Sequence, residues 1–96
     1  MESFTIERTT GFSREFRKLM KRHREFFEVY EKAILALAVD PYNISRTYDI
    51  LKLANVYKGD GQYRIRLRRW RFRYDIVANS VVLKYCSLRR EDTYHV

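Results

Sequence analysis

The sequence predicts an α+β fold: an N-terminal strand and an antiparallel helix pair packed on one face of a small, mainly antiparallel sheet. Two observations carry that prediction. Apolar residues recur at helical spacing across residues 12–37, then at spacing two through Tyr63–Ile76, and β-formers crowd the later run VVLKYCSL. The order is one strand, two helices and then three strands, which sets the helices apart from most of the sheet instead of alternating with it. With 96 residues, 46% of them hydrophobic and 16% aromatic, the chain suits one domain, 1–96, around one core.

Each element has a local reason. Phe4 and Ile6 alternate with Thr5 and Glu7, a short first strand. Thr9, Thr10 and Gly11 break it, and Ser13 is placed to cap a helix whose apolar stripe is Phe12, Phe16, Leu19 and Met20. A second stripe, Phe26, Phe27, Tyr30, Ala33, Ile34 and Leu37, should end near Asp40, because Pro41 disfavours helical backbone in the residue before it. Both stripes read as core. Residues 41–60 are expected to be irregular, with one apolar run from Ile50 to Val56 and a turn at Gly59 and Gly61. After Ala78 and Asn79, VVLKYCSL reads as the last strand.

The segment YRIRLRRWRFRYDI, Tyr63–Ile76, holds six arginines in fourteen residues. Its apolar residues are odd-numbered up to Leu67 and even-numbered from Trp70, so a turn or bulge must lie between. A two-residue turn at Arg68–Arg69 pairs Leu67 with Trp70, Ile65 with Phe72 and Tyr63 with Tyr74 on one face. The absence of Gly or Asn there leaves a slightly longer connection open. The same register sets Arg66 opposite Arg71 and Arg64 opposite Arg73, and like charges so opposed cost a few tenths to about 1 kcal/mol per pair. With Val81, Leu83 and Tyr85 turned to the core, Lys84 joins them, and Asp75 is the only acid expected nearby. Five cations on one sheet surface point to an anion, with a polyphosphate backbone the natural ligand.

Composition narrows the function. The net charge of +8 implies an acidic partner, nucleic acid or anionic membrane. Residues 1–40 carry eight Lys/Arg against seven Asp/Glu, whereas residues 60–96 carry nine against four. The single Cys86 excludes an internal disulfide and, set in an apolar run, reads as a buried structural thiol. No apolar stretch approaches a membrane span, and MESFTIERTT lacks the features of a signal peptide, so a cytoplasmic protein is expected. Two histidines, His23 and His95, make a histidine-based metal site improbable, and no glycine-rich phosphate loop is present. Glu91 and Asp92 read as solvated. Any catalysis must therefore use Arg, Lys and Tyr, without metal or cofactor.

FSREFRKL in the first helix, DP closing the second, LKLANV before the hairpin, the hairpin YRIRL…WRFRYDI and the terminal SLRREDTYHV together resemble the RelE/ParE toxin superfamily over nearly the whole chain. The resemblance implies the toxin of a type II toxin–antitoxin module, partnered by a cognate acidic antitoxin. In the RelE-like branch such toxins cleave mRNA in the ribosomal A site; in the ParE-like branch they inhibit gyrase without ribonuclease activity. A non-catalytic nucleic-acid-binding module is the remaining alternative. RREDTY, arginine followed by tyrosine, is similar to the ribonuclease branch. That places catalysis on Arg66, Arg71, Arg89 and Tyr94, with Arg64, Arg73, Lys84 and Arg90 binding RNA. Arginine stands at 64 and 66 where ribonuclease members often use lysine. A guanidinium with a pKa above about 12 orients a phosphate but is a poor base for the ribose 2′-OH. Tyr94 is left either to move a proton or to stack on a base. Two residues follow Tyr94, so no C-terminal helix is expected.

Overall fold

The computed structural model describes residues 3–89; Arg90, Tyr94 and the remaining C-terminal residues named above lie outside them. The elements are β1 (Thr5–Arg8), α1 (Thr10–Arg22), α2 (Phe26–Val39), β2 (Ile50–Lys52), β3 (Tyr63–Leu67), β4 (Trp70–Val77) and β5 (Ser80–Leu88). The five strands form one sheet in the order β1-β5-β4-β3-β2, antiparallel throughout except for the parallel β1–β5 pair. Among the described residues, no helix is long and apolar enough to cross a membrane.

The first helix begins earlier than expected. Thr9, not Ser13, is its cap: extended at φ −76° and ψ 163°, it accepts the Phe12 N–H on its hydroxyl at 3.1 Å. Thr9 is also tied to the end of the sheet, its N–H (3.1 Å) and hydroxyl (3.3 Å) both donating to the Leu83 carbonyl. That anchor comes from the far end of the chain and is invisible to local spacing. The second helix ends where Pro41 dictates, with Asp40 N–H donating to the Ala36 carbonyl at 2.8 Å.

Both helices bury their stripes against β3, β4 and β5. Phe12 and Phe26 are fully buried with Ile65, Trp70, Phe72, Tyr74, Val81 and Leu83. Phe26 lies 4.8 Å from Trp70 between ring centroids, and Phe16 lies 4.7 Å from Tyr30. Each such side chain contributes roughly 1.5–3 kcal/mol by burial alone. Met20 and Phe27, at the margins of their stripes, are exposed instead. The buried Tyr74 hydroxyl donates to the Pro41 carbonyl at 2.7 Å, tying β4 to the segment after α2. Burial, with smaller contributions from Tyr63 and Asp40, raises the pKa of that phenol.

The β3–β4 hairpin has the register read from the sequence, including Arg66 opposite Arg71 and Arg64 opposite Arg73. Its loop is two residues without glycine, because Arg68 takes the left-handed conformation at φ 57°. Two expectations are corrected. Within 41–60, Ile50–Lys52 forms a strand, too short for alternation to reveal it. In the β4–β5 pair, Arg73 faces Tyr85 while Tyr74 faces Leu83, which leaves Lys84 as the extra residue of a bulge. The parity of β5 changes there: Cys86 enters the core, while Tyr85 is 46% exposed on the opposite face.

Candidate nucleic-acid interface

The sheet face away from the helices carries the arginines, in two rows across the strands. One row runs Ser87, Arg71, Arg66, with Asp49 next to Arg66 at the start of β2; the other runs Tyr85, Arg73, Arg64, Leu51. The structure thus brings together Arg64, Arg66, Arg71 and Arg73, as expected. Arg89 follows Ser87 by two positions, its N–H donating to the Arg69 carbonyl at 2.7 Å beside the β3–β4 turn. Arg90 and Tyr94 fall outside the described residues.

The face is not an unrelieved field of positive charge. Asp75 does not face the arginines as a free acid; it is 2% exposed and accepts the N–H groups of Gly61 and Gln62 at 2.9 and 3.0 Å. That clasp folds the loop before β3 over part of the sheet. Arg73 completes it, donating from Nε to the Gly61 carbonyl at 3.1 Å and from Nη2 to the Asp60 carbonyl at 2.7 Å. Its guanidinium also lies 4.9 Å over the Tyr85 ring. Arg73 is therefore committed to structure. Gly61 has φ 78°, and a Cβ there would stand 3.1 Å from the Arg73 Cβ and 3.5 Å from the Tyr85 ring, so only glycine fits.

At the other end of the face, Asp49 is the acid that the sequence reading missed. Its carboxylate bridges two arginines: Arg64 Nη2 donates to Oδ1 at 2.9 Å and Arg66 Nε to Oδ2 at 2.7 Å. The Arg66 N–H donates to the Asp49 carbonyl at 2.9 Å, fixing the pair through the backbone as well. The Arg64 side chain is only 11% exposed, while Asp49 and Arg66 remain open at 39% and 36%. The pairing relieves the like-charge opposition across β3 and β4 and still leaves net positive charge on the row. Asp49 lies just before β2, and only the β2–β3 register brings it to Arg66; no spacing within the sequence signals that.

Lys84, expected on the basic face, lines instead a cleft of about 520 Å³ beside α1 with Arg14, Arg73 and Tyr85. Cys86 is buried, and desolvation, with a smaller contribution from Glu15, pushes its thiol pKa up to about 12, so it is inert at neutral pH. Among the described residues, no group of three or more His, Cys, Asp or Glu could hold a metal ion.

Two helices packed against an open, mostly antiparallel five-stranded sheet is the RelE-like toxin fold. Among solved structures, the chain is similar to the YafQ toxin of the Escherichia coli DinJ–YafQ complex, at 16% identity over 88% of this chain and 92% of that one, with a TM-score of 0.68. A second structure of the E. coli DinJ–YafQ toxin–antitoxin complex gives 15% identity, 88% and 91% coverage and the same TM-score. The RelE toxin of the RelB–RelE antitoxin–toxin complex from Methanococcus jannaschii gives 16%, 93% and 95%, with a TM-score of 0.50. No protein-family model and no curated protein matches the sequence.

Proposed function

We propose that this protein is the toxin of a type II toxin–antitoxin module, a metal-independent endoribonuclease that cuts mRNA in the ribosomal A site of the cytoplasm and is neutralised by a cognate acidic antitoxin. Its fold, shared with toxins crystallised beside their antitoxins, supports the class. One observation carries the chemistry: a carboxylate, Asp49, held by Arg64 and Arg66 on an open sheet face with Arg71 in the same row.

Arginine supplies what a scissile phosphate needs, planar N–H donors and permanent charge, but not a proton acceptor. Asp49 supplies that acceptor. In the proposed reaction the carboxylate takes the proton of the ribose 2′-OH, the 2′-oxygen attacks phosphorus, and the bond to the 5′-oxygen breaks. The products are a 2′,3′-cyclic phosphate and a 5′-hydroxyl, whose proton comes from solvent or from an acid such as Tyr94. Arg66 and Arg71 hold the phosphate and stabilise the charge that develops on it. Arg89, beside the hairpin tip, acts with Arg66 and Arg71 on the phosphate, and the resemblance assigns Arg90 to RNA binding.

Primer extension on mRNA from cells expressing the protein tests the reading, with Asp49→Asn as the decisive variant. The wild type should produce new 5′ ends, and Asp49→Asn should lower cleavage by about a hundredfold or more while RNA binding persists. Unchanged cleavage by Asp49→Asn removes the carboxylate from the mechanism. Toxicity without RNA ends, accompanied by loss of gyrase supercoiling, would transfer the protein to the gyrase-inhibiting branch.

A further inference from the structure

We propose that the cleft between the first turns of α1 and the outer edge of β5 is a subsite for one nucleotide of a single-stranded RNA, with its base on Tyr85 and its phosphate between Arg14 and Lys84. The inference rests on the reading of the arginine face as an RNA site and extends it to residues outside that face.

The cleft is a product of the β5 irregularity. β1 pairs with β5 only from Ser80 to Leu83, so among the described residues no strand lies beside the outer edge of β5 from Lys84 onward, and α1 forms the far wall. At the same point the bulge turns Tyr85 out of the core. An aromatic ring 46% exposed at the mouth of a cleft of about 520 Å³ is a platform on which any base can stack. Arg73 lies over the ring at 4.9 Å and is itself held by two loop carbonyls, so the ring rests on a fixed support. A purely structural Tyr85, serving only to cover Arg73, would leave the other charges of the cleft without a purpose.

Those charges favour an anion. Arg14 and Lys84 face the cleft from opposite walls, with Arg73 behind the ring and Glu15 the only acid of the lining among the described residues; Glu15 is paired with Lys18 at 3.6 Å. The cleft also continues the sheet face. Ser87 closes the row that contains Asp49, Arg66 and Arg71, and Tyr85 closes the row of Arg64 and Arg73. From β2 to β5 is three strand spacings, about 14 Å. A strand whose scissile phosphate lies at Asp49 and Arg66 therefore reaches the cleft with a nucleotide about two positions further along.

Fluorescence anisotropy with a labelled single-stranded oligoribonucleotide tests the subsite, alongside quenching of a 2-aminopurine base within it. Tyr85→Ala should weaken binding roughly five- to a hundredfold and abolish the quenching, whereas Tyr85→Phe, which keeps the ring, should bind as the wild type does. Arg14→Ala, on an exposed helix surface, and Lys84→Ala should each reduce the slope of log affinity against log salt by about 0.7. Wild-type affinity and quenching in Tyr85→Ala, or an unchanged salt slope in both charge variants, overturns the proposal. A wild-type protein that binds through Tyr85 but cuts no RNA keeps the subsite and loses the ribonuclease reading. One that binds no single-stranded RNA at all loses both.

Discussion

The β3–β4 and β4–β5 hairpins share a strand and turn through two residues each, yet they present side chains by different rules. In the first, five consecutive pairs run without interruption, every apolar residue faces the helices and every arginine faces away. In the second, one extra residue at Lys84 reverses the alternation halfway along, exchanging a tyrosine for a cysteine in the core. The first hairpin builds a surface; the second makes an edge in it. The difference teaches that the regular part of a sheet supplies charge, while its irregular part decides where an aromatic ring stands relative to that charge.

Titration of Cys86 probes the second hairpin with the largest expected effect. Burial holds the folded thiol well above its ordinary value of about 9, up to about 12, whereas the unfolded thiol ionises normally. Stability from this group is therefore complete below about pH 9 and lost as pH rises toward about 12. Chemical denaturation across that window should show a steeper loss for the wild type than for Cys86→Ala. Equal slopes would mean that the parity change does not seal the thiol in the core.

Asp75→Ala attacks the clasp that covers part of the arginine face. Two backbone N–H groups would lose a charged acceptor in a buried setting, which should cost about 2–4 kcal/mol and free the loop from Arg73. Hydrogen exchange at Gly61 and Gln62 should then rise to the rate of an open loop; continued protection would show that Arg73 alone retains it. Gly61→Ala acts on the same contact from the other side, combining positive φ with a 3.1 Å approach to Arg73, and should cost about 1–2 kcal/mol in thermal unfolding. A smaller, stabilising effect is expected at the two turns. Arg68 and Ala78 both hold positive φ, at 57° and 51°, so Arg68→Gly and Ala78→Gly should each raise stability by up to about 1 kcal/mol. A difference between the two would identify which hairpin carries turn strain.

Alternation made the first hairpin legible to the residue, because each of its side chains has only two faces to choose between and the apolar ones choose the helices. It misplaced Tyr85, since a bulge leaves no mark in composition: both Tyr85 and Cys86 are acceptable core residues. Asp49 and the Thr9 cap were missed for another reason. Asp49 gains its role from Arg66, seventeen positions on, and Thr9, whose capping bond to Phe12 is local, is tied to the sheet by Leu83, a contact that only the assembled sheet creates. The arginines were legible as a cluster, but not their division into Arg73, which holds a loop, and Arg64 and Arg66, which hold a carboxylate.

The parallel pairing of β1 with β5 has a consequence for the order in which the molecule assembles. The bond from Thr9 to Leu83 closes a span of 74 positions, the kind of remote contact that forms late in folding. While the chain is being made from its N-terminus, α2 and the β3–β4 hairpin can form from neighbouring residues. β1 has no strand to join until β5 emerges, and the cap of α1 lacks its sheet anchor until Leu83 does. Docking of β1 and the sheet anchor of α1 therefore wait on β5, whereas the arginine hairpin closes on contacts between neighbouring residues.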